Sequence, residues 1–241
     1  MNNLFFGALP YALLMLGIAG AIYRYNSNRF SWSTQSSEFL ENRQLFFGSF
    51  PWHYGILTVL LGHFIGLIFP SAILAWNGTP IRLYILEVTG LAFGLLALFG
   101  LLTLIYRRLT NNRVKALTSS WDVLLLIVLL IQVVTGLANA ILYRWGSNWY
   151  ASSAVPWMWS VLALNPNVEY VANLPLLTKL HAINAMLLVA LVPFTIIKGW
   201  SLFDSDTGRD LAKEIREYQI PDFSKWQNPD SYQNALQSLI G

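Results

Sequence analysis

The chain carries three histidines, His53, His63 and His181, and each lies in a long apolar stretch. An ionisable side chain is costly inside a bilayer, so histidines in such stretches indicate a functional site. On one helix, the separation of His53 and His63 is a rise of about 15 Å and a rotation roughly 80° off whole turns. One metal ion cannot bridge that rise, whereas two haems at two depths can each take one histidine.

His181 lies on a later apolar stretch and can approach His63 from a facing helix. Two imidazoles on facing helices of a bundle are what a six-coordinate b-type haem requires. Proton relay and quinone contact are the alternatives that the residues leave open. The alternative to a functional site is a histidine in the protein core that only makes a hydrogen bond.

Composition identifies the elements that carry these histidines. The 241 residues are 55% hydrophobic and 11% charged, against about 25% charged in a soluble domain. Apolar runs of about 20 residues are long enough to cross a bilayer, and no basic residue precedes the first, which therefore reads as a retained span rather than a signal peptide. We expect an all-α integral membrane bundle of five helices. The five runs are Leu4–Tyr23, Trp52–Trp76, Ile81–Tyr106, Val123–Tyr143 and Leu180–Trp200.

Basic residues alternate between the two sides of this predicted bundle. All but three of the 15 Lys and Arg residues fall on one side, and the exceptions are Arg82, Arg144 and Lys179. The positive-inside rule then places the N-terminus outside and the C-terminus inside. Residues 1–200 form the predicted membrane domain, and residues 201–241 a cytoplasmic tail that docks partner subunits. Four tryptophans of the fourth connection are expected at the membrane interface, namely Trp145, Trp149, Trp157 and Trp159.

Several stretches resemble the gamma subunit of respiratory nitrate reductase, a dihaem cytochrome b of the cytoplasmic membrane of prokaryotes. They are "WSTQSSEFLENR", "HYGILTVLLGHFIGLIFP", "RVKALTSSWDVLLL", "LLIQVVTGL" and "KLHAINAMLLVALVPF", with "REYQI" as a weaker echo. The resemblance implies five transmembrane helices, two b haems, and a complex with an iron–sulfur beta subunit and a molybdenum-containing alpha subunit. The small net charge of +3 gives no reason to expect nucleic acid as a partner.

The resemblance also implies a ligand set. His63 and His181 would hold the outer, distal haem, and His53 would hold the inner, proximal haem. The family's fourth ligand is a histidine near the inner end of the fifth span, where this chain reads "PFTIIKGWS". Counting from His181 places that position on Gly199, which cannot ligate, and counting from the neighbouring tryptophan places it on Lys198.

A neutral Lys198 amine can ligate haem iron, and desolvation favours the neutral amine. The alternatives are a lysine that snorkels to the headgroups and a five-coordinate or missing proximal haem. Arg113, just before the fourth span, is expected to pair with a haem propionate, although positive-inside bias explains it equally well.

In the family, menaquinol or ubiquinol from the quinone pool is oxidised near the distal haem, and a lysine at the start of the third span helps to bind it. Tyr84 takes that lysine's place here, with Arg82 as the nearest base and Glu87 as a proton acceptor; Gly62 completes the expected quinol site. The changed residues keep two other functions open. One is a nitrite oxidoreductase-type subunit with reversed electron flow, and the other is a mainly structural membrane anchor.

Overall fold

The computed structural model describes residues 2–28, 43–112, 114, 118, 120–195, 203–204 and 209–210. The chain divides into two units, residues 1–197 and residues 198–241. In the second unit, the described residues form one short antiparallel pair, β1 (Phe203–Asp204) with β2 (Arg209–Asp210). The first unit carries all three histidines.

Every regular element described in the first unit is helical. The long helices are α1 (Leu9–Asn28, preceded by a π-helical turn, Asn3–Ala8), α2 (Arg43–Ile68), α4 (Pro80–Thr110), α5 (Ser120–Leu142) and α9 (Leu176–Thr195). The short ones are α3 (Pro70–Asn77), α6 (Gly146–Trp149), a π-helical turn (Tyr150–Ala154), α7 (Val155–Leu162) and α8 (Glu169–Ala172). Five helices are long and apolar enough to cross a membrane, which confirms the predicted all-α, five-span class.

The second span differs in its bounds from the expected Trp52–Trp76. Helix α2 ends at Ile68, and α3 begins afresh with Pro70 in its first turn. Proline has no backbone N–H and disfavours helical dihedrals in the residue before it. Phe69 accordingly leaves the helical region, with φ −122° and ψ 54°. The prediction read through this break because the apolar run continues across it.

Close helix approach holds the bundle together. Helix α2 packs against α4, α4 against α5, α5 against α9, and α9 against α1. A Cβ on Gly55 would lie 2.5 Å from the backbone nitrogen of Ala97, and one on Gly100 would meet the backbone of Trp52. Small residues at such crossings are the usual means of packing in a membrane, because they let backbones touch. Of the two histidine-bearing helices, α2 packs mainly on α4, whereas α9 packs on both α5 and α1.

The connection from α5 to α9 folds back onto the helix ends. Trp157 is only 5% exposed, and its indole packs edge-on against Phe6 at 5.4 Å and donates to the Phe6 carbonyl at 2.9 Å. Trp157 is therefore buried within the protein, because the N-terminal turn supplies both a ring and an acceptor, and its position relative to the membrane interface stays a prediction. Trp159 is half exposed and donates to the carbonyl of Leu67 at 3.0 Å, which ties the connection to the end of α2.

Candidate haem site

His53 and His63 are both exposed on α2 and are oriented by their own helix. The Nδ1 of His53 lies 2.7 Å from the carbonyl oxygen of Ser49, and the Nδ1 of His63 lies 2.9 Å from that of Val59. A carbonyl oxygen only accepts, so each Nδ1 carries the proton and donates it. Each Nε2 therefore has its lone pair available, which is the tautomer that ligates a metal through Nε2.

His181 is half buried between α5 and α9. Its Nδ1 lies 3.0 Å from the hydroxyl of Thr135, and its Nε2 lies 3.1 Å from the side-chain nitrogen of Gln132. A Cβ on Gly136 would lie 3.0 Å from the ring carbon Cε1 of His181, so the glycine lets α5 reach the imidazole. The sequence reasoning missed Gln132 and Thr135. Their three-residue spacing in the apolar "LLIQVVTGL" puts them on one helix face and was an available signal.

His63 lies on α2, and His181 lies on α9. The space beside His63 is open, because a Cβ on its neighbour Gly62 would meet nothing within 4 Å. The ring of Tyr150 packs edge-on against the His63 imidazole at 5.1 Å, and its hydroxyl donates to the backbone carbonyl of His63 at 2.9 Å.

These residues fit a b-type haem in their donor chemistry. His53 and His63 offer free Nε2 lone pairs at two levels of α2, and His181 presents its Nε2 from α9, where it faces the side-chain nitrogen of Gln132. Within the described part of the chain, no three His, Asp, Glu or Cys side chains cluster to form a compact metal site. The arrangement suits single histidines on separate helices, which is how a bundle holds a haem.

The expected quinol residues at the start of α4 make separate contacts. The Arg82 guanidinium lies over the ring of Trp76, 5.4 Å from its centroid, and Tyr84 packs edge-on against Trp145 at 5.6 Å. A shallow, open depression on the surface of α4 is lined by Tyr84, Ile85, Val88 and Thr89. Tyr84 thus borders an open, mostly apolar space, while Arg82 is held by an indole.

Glu87 is the centre of a polar cluster that the sequence did not reveal. Its Oε1 accepts hydrogen bonds from the backbone nitrogen of Ser147 at 2.9 Å and from the Ser147 hydroxyl at 2.8 Å. The Asn77 side chain donates to the same hydroxyl at 3.0 Å and to Asn148 at 2.8 Å. The Glu87 carboxylate therefore anchors the α5–α9 connection to α4.

Three further expectations fall elsewhere. Arg113, Lys198 and the alternative position Gly199 lie outside the residues that the structure describes. Lys179 donates to the carbonyl of Ala172 at 2.6 Å, so its charge caps the short helix α8.

The fold and the site together define a multi-pass, all-helical membrane protein with histidines on two of its spans. The sequence model of the nitrate reductase gamma subunit family matches residues 2–201. The chain belongs to this family and is a membrane subunit of nitrate reductase, one component of a larger complex.

Characterised relatives agree with the family match. The nitrate reductase gamma chain of Bacillus subtilis (strain 168) is 33% identical over 197 residues, which is 80% of this chain and 88% of the relative. The respiratory nitrate reductase 2 gamma chain of Escherichia coli (strain K12) is 30% identical over 208 residues, 83% and 91% of the two chains. The nitrate reductase-like protein NarX of Mycobacterium tuberculosis (strain CDC 1551 / Oshkosh) is 34% identical over 203 residues, 81% of this chain but 31% of that protein.

Proposed function

We propose that this chain is the b-type cytochrome of a quinol-dependent nitrate reductase in a prokaryotic cytoplasmic membrane. It accepts electrons from menaquinol or ubiquinol at the outer face and passes them inward through two b haems. The recipients are an iron–sulfur beta subunit and, beyond it, a molybdenum-containing alpha subunit. The observation that carries the proposal is the pair of exposed histidines on α2, each with its Nδ1 bound to a carbonyl of its own helix and its Nε2 free.

His63 and His181 would hold the outer haem, and His53 would hold the inner one. Each haem, when bound, supplies a one-electron carrier, and two carriers at different depths form an electron path across the bilayer. The residues of the chain do the positioning: the carbonyls of Ser49 and Val59 hold the two α2 imidazoles with Nε2 free. Gly62 leaves open the space beside His63.

The inner haem needs a second ligand if it is six-coordinate, and we assign that role to Lys198. Arg113 would pair with a propionate at the same face. The assignment predicts that Lys198→Met changes the low-temperature EPR signal and the midpoint potential of one b haem. Two haem signals with unchanged shape and potential would remove Lys198 from the ligand set.

The start of α4 would receive the quinol. Tyr84 borders the shallow, open depression on α4 and carries a hydroxyl that can hydrogen-bond a quinol oxygen. Glu87 is the nearby carboxylate that can take a proton, and Ser147 holds its Oε1 in place. Arg82 would contribute positive charge from its place over Trp76.

The complex, purified with its partner subunits, tests this function directly. Haem b absorbance is followed after addition of a short-chain menaquinol analogue, and then after addition of nitrate. We expect reduction by the quinol and reoxidation by nitrate. Reduction by nitrite but not by quinol would show the reverse reaction instead, and a complex without any b-haem spectrum would leave the chain as a structural anchor.

A further inference from the structure

A directional chain of hydrogen bonds crosses from α9 to α5 beside His181. It starts at Asn184, which is 9% exposed and donates from Nδ2 to the backbone carbonyl of Val128 at 3.0 Å. The same nitrogen donates to the Oε1 of Gln132 at 2.7 Å. Because a carbonyl oxygen only accepts, the Asn184 amide cannot be turned round without losing the bond to Val128.

The orientation of Asn184 fixes that of Gln132. The Oε1 of Gln132 faces the Asn184 donor, so its amide nitrogen faces the Nε2 of His181 at 3.1 Å. An amide NH₂ group only donates. The Nε2 of His181 must therefore carry the lone pair, and the ring proton lies on Nδ1.

The hydroxyl oxygen of Thr135 accepts a hydrogen bond from this N–H group. The same hydroxyl donates to the backbone carbonyl of Ile131 at 2.7 Å, which leaves Oγ1 to accept from the Nδ1–H of His181 at 3.0 Å. The carbonyls of Val128 and Ile131 can only accept, and together they fix the donor and acceptor of every hydrogen bond along this path. Thr135 is the acceptor of the one N–H that His181 has.

We propose that Thr135 is the positioning residue that holds His181 with Nε2 directed to haem iron and that tunes the haem it ligates; this rests on the proposed haem function. Gln132 and a haem iron would use the same Nε2 lone pair, so a bound haem would displace the Gln132 contact. The Thr135 contact uses the other nitrogen and would be retained. An acceptor on the distal ring nitrogen makes the ligating imidazole more basic, which favours the oxidised iron and lowers the haem potential.

Redox titration of the purified complex, with its partners and both haems, tests the proposal. Thr135→Val and the smaller Thr135→Ala both remove the acceptor, and each is expected to raise the midpoint potential of one b haem and leave the other unmoved. Thr135→Ser keeps the hydroxyl and is expected to restore the wild-type potential. Thr103→Val is the matched control, since Thr103 makes the same hydroxyl-to-carbonyl bond within α4, to Phe99 at 2.9 Å, and none to a histidine in the described structure.

The possible results separate the two claims. If the wild type binds two haems and both potentials are the same in Thr135→Val and Thr135→Ala, the role of Thr135 is overturned and the haem assignment stands. A potential shift that Thr135→Ser does not reverse would also overturn it, because the hydroxyl would not be the cause. A wild-type complex without b haem would overturn the proposed function itself.

Discussion

Gly136 of α5 lies directly against the imidazole of His181. A Cβ at this position would be 3.0 Å from Cε1 and 3.6 Å from Nδ1 of the ring. Such a contact is too short for an ordinary van der Waals pair, so any larger residue here must move the ring or the helix. The His181 ring can therefore occupy this position only because residue 136 is a glycine.

Gly136→Ala is expected to displace the His181 ring by a few tenths of an ångström. Overpacking of this kind typically costs about 1–3 kcal/mol, against the gain of about 1 kcal/mol from replacing a helical glycine by alanine. We expect a shifted EPR signal and reduced occupancy of one b haem, measured on the purified complex. Gly90→Ala is the control, because a Cβ there meets nothing within 4 Å. Equal haem spectra in the two variants would contradict the close contact.

Glu87 combines a structural role with a proposed chemical one, and two substitutions separate them. Glu87→Gln keeps a side-chain oxygen that accepts from Ser147 but takes no proton. We expect it to retain haem and lose most quinol-oxidation activity. Glu87→Ala also leaves the Ser147 N–H without its acceptor, which costs about 1–3 kcal/mol and should lower the thermal midpoint in detergent. Wild-type quinol oxidation in Glu87→Gln would exclude the carboxylate as proton acceptor.

Tyr150 gives the protein a pH dependence at high pH. Burial raises the pKa of its phenol from 10.0 to about 12, so the folded chain holds the proton more tightly than the unfolded chain. Stability from this group is complete below about pH 10 and declines as the pH rises towards 12. Ionisation also removes the donor to the His63 carbonyl.

Thermal unfolding in detergent at about pH 8 and about pH 11, on either side of the unperturbed phenol pKa, measures this contribution. The wild-type protein should lose more stability than Tyr150→Phe between the two values. At the lower pH the variant should be less stable by about 1 kcal/mol, the usual value of one hydrogen bond. An equal pH effect in both proteins would show that the phenol is not the group involved.

The two histidines of α2 are expected to serve different haems. His53→Ala and His63→Ala should each lose one b haem, and the remaining signal should differ between them. His181→Ala should lose the same haem as His63→Ala, because the proposed outer haem takes both imidazoles as its ligands. EPR and redox titration of the three variants distinguish the haems. Loss of the same signal in His53→Ala and His63→Ala would contradict ligation at two depths.

Much of this architecture follows from local properties of the sequence. Hydropathy alone locates five spans, since a helix in lipid must be apolar over about 20 residues. Histidines in those spans mark the candidate site for the same reason. Pro70 was an available signal for the end of α2 at Ile68, because proline disfavours helical dihedrals in the residue before it, but Pro51 lies inside the same helix.

Contacts between distant segments could not be read from the sequence in the same way. The burial of Trp157 depends on Phe6, which lies 151 residues earlier in the chain. The pairing of Glu87 with Ser147 depends on how the α5–α9 connection folds over α4. Asn184 and Gln132 are ordinary polar residues of separate spans until the α5–α9 packing joins them.

The central claim is that one chain carries two b haems. A pyridine haemochrome assay on the purified complex, combined with quantitative amino-acid analysis, gives the ratio of haem b to this subunit. The account predicts two haems per chain. A single haem per chain, or a chain without haem b, would contradict it.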